Sequence, residues 1–191
     1  MSEETHRTVD TRTEHRPGGT GSGEPNGARG AERSRTITWH ELERHAQAEA
    51  VAMSGLELLT AMKEDRLPAS PIARLAGIEA VRIEPGDVVF ESVADPSFDN
   101  PIGNTHGGFL CTLLDSAAAS AVHTTLPAGV GYTSVEIKVS FLRAVRAGDR
   151  LLVHGWVTKP GRKVVFAEAD IRGADGKLLA TASTTCLILR G

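Results

Sequence analysis

GFLCTLLDSAAASAVHTT, Gly108 to Thr125, is the stretch on which the reading of this sequence turns. After its opening glycine it holds neither Gly nor Pro, and Leu and Ala dominate it, so it predicts a helix that is apolar nearly all round. Such a helix must be buried on most sides, and the segments around it supply the cover. Two strand-like runs precede it, at 77–84 and 88–94, joined by Pro85-Gly86-Asp87. Four follow, at 132–142, 151–159, 164–172 and 178–189, with turns at Ala147-Gly148-Asp149, Lys159-Pro160-Gly161-Arg162 and Ala174-Asp175-Gly176-Lys177. In the first of these four, Val135, Ile137, Val139 and Phe141 alternate with Ser134, Glu136, Lys138 and Ser140, the pattern of an antiparallel sheet with one covered face. The expected order is β-β-α-β-β-β-β, an α+β domain in which one long buried helix lies against a curved antiparallel sheet of about six strands.

Upstream the texture changes. Residues 1–35 carry almost no large apolar side chain and are punctuated by Gly, Pro and Ser, which predicts a disordered tail. Residues 36–70 form a helical extension, with capping-box patterns at Thr38–Glu41 and Ser54–Glu57 and apolar Leu42, Ala46 and Met53 at helical spacing. Two short helices, or one kinked helix, should end before Pro68 and pack on the main domain or a neighbouring subunit through Leu42, Met53, Leu58 and Leu59. The prolines at 68 and 71 read as a linker, and residues 71–191 as the main domain.

Composition excludes several function classes. A chain of 191 residues with a net charge of -3 has no basic excess for gripping phosphate backbones or anionic membranes. Between Arg33 and Arg66 the acidic residues outnumber the basic ones, against a DNA-recognition helix. Cys111 and Cys186 stand far apart in no metal-ligand or redox spacing, and Cys111, on the apolar helix, reads as a core residue. HELERH, from His40 to His45, places its histidines five apart, about 140° around a helix, and is rejected as a zinc motif. His123 and His154 read as surface or packing residues. The expectation is a cytoplasmic protein with no metal, no nucleic-acid partner and no membrane span.

The chemistry concentrates at the helix start, NPIGNTHGGFLCTLLD, Asn100 to Asp115. A Gly107-Gly108 pair opening a buried helix leaves backbone N–H groups unpaired at the positive end of the helix dipole, a natural oxyanion hole. Asp115, on an otherwise apolar helix, costs several kcal/mol unless paired or hydrated, which points to a catalytic carboxylate. Gly107 and Asp115 lie eight positions apart, about 12 Å along one helix, so they cannot both touch one substrate carbonyl. Antiparallel helices from two subunits would bring the Gly107 end of one to Asp115 of the other, giving two equivalent sites on a two-fold axis.

From 72 to 189 the sequence resembles the PaaI-type hotdog thioesterases, related to 4-hydroxybenzoyl-CoA thioesterase, through NPIGNTHGG, the acidic residue nine after His106, TSVEIKVSFLRAVRAGD, and GWVTKPGRKVVFAEADIRGADGKLLATAS. The resemblance implies hydrolysis of an acyl-CoA to free acid and CoA by a homodimer or dimer of dimers, with no cofactor beyond the CoA of the substrate. It implies that the Gly107 amide polarises the thioester carbonyl with help from Asn100, and that Asp115 of the other subunit attacks or activates water. Ser134 matches a small hydroxyl that orients this water or carboxylate. His106 fixes the loop geometry or its electrostatics, and Gly108 borders the substrate. Lys159, Gly161, Arg162, Lys163 and Val164 fall where relatives receive CoA; a solvated turn is the other reading of these basic residues. Ser140 and Ala144 replace the Asn and Pro of many relatives, which bears on the substrate tunnel more than on the reaction. An acyl-CoA-sensing protein without catalysis and a hotdog dehydratase or hydratase are the alternatives.

Overall fold

A computed structural model describes residues 31–41 and 43–190. The expected tail up to residue 30, and Leu42, lie outside the described residues. Residues 31–38 contain no helix or strand, and every helix and strand among the described residues belongs to the unit that begins at Trp39. There the order is α1 (Arg44–Ala52), α2 (Gly55–Lys63), α3 (Pro71–Ala76), β1 (Glu79–Glu84), β2 (Asp87–Val93), α4 (Gly107–His123), β3 (Val130–Phe141), β4 (Arg150–Lys159), β5 (Val164–Gly173) and β6 (Leu178–Arg190). No described helix is long and apolar enough to cross a membrane.

The six strands form one antiparallel sheet in the order β1-β2-β4-β5-β6-β3, and α4 packs against it. Leu113, Leu114, Ala117, Ala118, Ala121 and Val122 of α4 are essentially inaccessible and meet Val88, Val153, Val165 and Ile171 from the sheet. Each fully buried leucine contributes about 2 kcal/mol. The helix can come this close because β4 carries Gly155 beneath it: a Cβ there would lie 2.3 Å from the carbonyl carbon of Ala117.

Two local readings change in the helices before the sheet. The Thr38–Glu41 pattern starts no helix: α1 begins at Arg44 behind Glu43, which makes no side-chain cap, and α1 buries none of its residues. Without a core contact, nothing rewards the earlier start. The stretch around Pro68 and Pro71 is not merely a linker, because Ser70 accepts from the Ala73 N–H, Pro71 takes the first helical position, and Gly77 closes α3 at φ 61°. Proline inside the start and glycine past the end are helix punctuation, here read as a break. The second capping box is formed: Ser54 accepts from the Glu57 N–H, and the Glu57 carboxylate accepts from the Ser54 N–H at 2.8 Å.

The alternation across β3 is also broken. Register shifts between Ser134 and Glu136 where β3 pairs with β6, so Val130, Tyr132 and Ser134 share the helix side with Val139, and Val135 turns outward, 58% exposed. A bulge reverses the parity that strict alternation assumes and re-aims the side chain beside it.

Candidate functional site

One stripe of α4 is left open by the sheet. Gly107, Gly108, Cys111, Thr112, Asp115, Ser116, Ser120 and His123 are half-buried or exposed, whereas the remaining positions of the helix are buried. The spacing is that of a single helical face. The nearly all-round apolar reading therefore overstates the burial: Leu, Ala and Val fill three sides, and small or polar residues occupy the fourth.

At its N-terminus the helix is capped by His106, whose Nδ1 accepts from the Gly108 N–H at 2.9 Å, while the His106 N–H donates to the Phe98 carbonyl at 2.8 Å. The Gly108 amide is thereby spent. The Gly107 N–H, with no turn of helix before it, has no partner among the described residues. Phe141 lies over this position, its Cζ 2.9 Å from where a Gly107 Cβ would stand. Its part here is legible only once β3 is placed. Asn100 shapes the preceding loop: its Oδ1 accepts from the Ile102 N–H at 3.0 Å and the Asn104 N–H at 3.2 Å, leaving Nδ2 as its donor. Asn100, His106, Gly107, Gly108, Phe141 and Ala144 border one open groove, which also reaches Cys111.

Farther along the stripe, Asp115 is half-buried and accepts from the Ser134 hydroxyl at 3.0 Å, a contact made possible by the bulge in β3. A second groove of about 410 Å³ lies between α4 and β3 and is bordered by Cys111, Thr112, Asp115 and Ser134. Because Cys111 borders both grooves, they follow one another along the helix. Burial, then the carboxylate of Asp115, pushes the Cys111 thiol up, so it stays protonated at neutral pH. Tyr132 is pushed up to about 12, first by burial and then by Cys186 and Asp115.

The structure separates the predicted residues into two groups. Asn100, His106, Gly107 and Gly108 gather at the start of α4, with Asp115 and Ser134 two turns on. Lys159, Gly161, Arg162, Lys163 and Val164 lie elsewhere. Their turn continues from the end of β4 where Val157 donates to Gly86 at 2.8 Å, and Gly86 donates to Thr124 just past α4 at 2.7 Å. In one protomer this is the opposite end of α4 from Gly107, a helix length of about 24 Å. Gly161 has a local reason to be glycine, since a Cβ would stand 2.1 Å from the Val164 carbonyl oxygen.

Comparison with known proteins bears on the family and the fold. The family model described as thioesterase superfamily matches residues 102–180. Human acyl-coenzyme A thioesterase 13 is 30% identical over 112 residues, covering 58% of this chain and 79% of the relative. A crystal structure of a putative thioesterase from Ralstonia eutropha, a phenylacetic acid degradation-related protein, is 31% identical with a TM-score of 0.63, covering 67% of this chain and 97% of that one. The Escherichia coli PaaI protein from the phenylacetic acid degradation operon shares the fold at a TM-score of 0.64 and 23% identity, covering 74% of this chain and 97% of its own. With relatives at 30% and 31% identity covered over 79% and 97% of their own length, this chain belongs to the thioesterase superfamily and folds as a PaaI-type hotdog.

Proposed function

We propose that the protein hydrolyses acyl-CoA thioesters to free acid and CoA, with each active site built from two subunits. The observation that carries this reading is the open stripe of α4: an unpaired amide at Gly107 and a hydroxyl-supported carboxylate at Asp115 on one helix face, about 12 Å apart. Across a two-fold axis with antiparallel helices, the amide of one protomer and the carboxylate of the other meet at one carbonyl. The strand beside this stripe favours such pairing: β3 is an edge strand of 12 residues with Phe141 53% exposed. An edge of that length and composition needs a cover.

In the reaction, Asp115 takes a proton from water as its oxygen adds to the thioester carbonyl carbon, and the Gly107 N–H donates to the carbonyl oxygen as it gains charge. Collapse of this intermediate breaks the C–S bond, and the departing thiolate receives the proton held by Asp115. Direct attack by the carboxylate, followed by hydrolysis of the mixed anhydride, gives the same products. Ser134 orients the carboxylate, and His106 holds the loop by spending Nδ1 on the cap. The basic residues of the turn from Lys159 to Val164 are available to the CoA phosphates. The substrate class follows from the name of the human relative, an acyl-coenzyme A thioesterase.

Mixed dimers test the shared site. Gly107→Pro removes the amide at a position where helices accept proline, after a His106 backbone (φ -64°, ψ 136°) already suited to precede it, and requires the exposed end of the Phe141 ring to shift. Gly107→Pro and Asp115→Ala should each be inactive alone. Co-expressed dimers, half of them heterodimers with one intact site of two, should recover about a quarter of wild-type thiol release. No recovery from folded heterodimers would refute the two-subunit site. Ser134→Ala, which removes one hydrogen bond to a charged group, should lower kcat about tenfold with little change in thermal stability.

A further inference from the structure

Beyond the reacting groups lies a cavity of about 660 Å³ that the hydrolase reading does not use. It begins at Asp115, runs along α4 past Ser116 and Ala119 to His123, and is roofed by residues outside the core hotdog strands, among them Leu58, Leu59 and Met62 of α2 and Ile72 just inside α3. The opposite wall includes Ile78 and Tyr132. The charged residues at its margin, Lys63, Asp65, Arg74 and Glu79, are all exposed. Leu58, Leu59, Met62 and Ile78 give the cavity an apolar side, Ser116, Ser120 and His123 line it from α4, and the Asp115 carboxylate stands at one end.

The roof is fixed in place. The Gly55 N–H donates to the Leu126 carbonyl at 3.0 Å, and a Cβ at Gly55 would stand 1.9 Å from the His123 carbonyl oxygen, so the start of α2 sits directly on the end of α4. Ala61 is fully buried, and its carbonyl accepts from the N–H groups of Arg66 and Leu67. Such a seat makes α2 a wall rather than a loose flap.

We infer that this cavity receives the acyl chain of the thioester, and that α2 of the N-terminal extension, through Leu59 and Met62, sets how long that chain can be. The inference rests on the proposed acyl-CoA chemistry at Asp115. The distance from Asp115 to His123 is eight helical residues, about 12 Å. With carbon–carbon bonds of about 1.5 Å in zigzag, that length accommodates an extended chain of roughly eight to ten carbons. The Leu and Met side chains offer such a chain an apolar surface, so each further methylene buried there should tighten binding.

The test pairs binding with turnover. Calorimetry with non-hydrolysable CoA thioethers from two to sixteen carbons gives the chain-length dependence of affinity, and thiol release from the matching thioesters gives that of kcat/KM. Wild type should rise to an optimum near eight to ten carbons. Leu59→Trp and Met62→Trp should weaken binding of the decyl compound roughly tenfold or more while changing the acetyl-length compound little, and Leu59→Ala should move the optimum to longer chains. Thermal melts identify any variant that is merely misfolded, and Leu59→Ala keeps the test open if the tryptophans do not fold. A binding profile that is flat in wild type, or unmoved by the folded variants, overturns the assignment of the cavity. Chain-dependent binding shifted by the variants, in a protein that hydrolyses none of the thioesters, upholds the cavity and overturns the hydrolase reading instead.

Discussion

Asp115→Ala is expected to lower thiol release from acyl-CoA by about 10²-fold or more, the cost of losing a general base or nucleophile. Folding should not suffer. The carboxylate sits half-buried on a helix between Leu114 and Ser116, and among the described residues its side-chain hydrogen bond comes from the Ser134 hydroxyl. Alanine is the best helix former and carries no desolvation cost, so the melting temperature should hold or rise. A residue that holds structure gives the opposite pattern, with stability and activity falling together. Matched thermal melts and thiol-release assays on proteins of the same oligomeric size therefore separate the two roles. Retained turnover in the alanine variant would remove Asp115 from the chemistry.

The second large effect is on the fold. Gly155→Ala should destabilise the protein by about 3 kcal/mol or more, at the upper end of overpacking costs. A methyl group there would stand 2.3 Å and 2.4 Å from the carbonyl carbon and oxygen of Ala117 and 2.7 Å from the Ala118 nitrogen. These are backbone atoms of α4, so no rotamer change relieves them and the helix must lift from β4. For a domain of this size the melting temperature should drop by roughly 10 °C. Gly131→Ala on β3 is the matched control, because its methyl group would meet only the Leu189 Cβ at an ordinary 3.8 Å. Denaturant or thermal unfolding of both variants checks the contrast; equal stabilities would mean that the helix and sheet are not in the contact described.

The central helix and six strands were legible in the sequence because the signals there are strong and local: an uninterrupted Leu/Ala run, and short alternating runs closed by Gly-containing turns. Asp115 stood out for the same reason, as a lone carboxylate in apolar company. What the sequence hid depends on tertiary contacts. The bulge at Ser134 and Glu136 leaves no local mark, yet it decides that Ser134, and not Val135, faces Asp115. The closing role of Phe141 over Gly107 requires β3 to be laid beside the start of α4. Asn100, read as a possible catalytic donor, has its carbonyl oxygen engaged by the loop it shapes. The helix at Pro71 was missed through a choice between two meanings of proline. Leu58, Leu59 and Met62 looked like packing residues of an extension, and only the cavity they roof gives them a further use.

The order β1-β2-β4-β5-β6-β3 carries a consequence for how the molecule is made. β3 has its only sheet neighbour in β6, the last of the six strands to leave the ribosome. Until then the segment from Val130 to Phe141 has been synthesised but has nowhere to pair, and its apolar residues wait in a nascent chain whose helix is already complete. Closing that long sequence separation is slow, and the waiting strand is open to wrong partners. The strand that brings Ser134 to Asp115 is thus the last to find its place, so the hydroxyl–carboxylate contact and the completed sheet arrive together in biosynthesis.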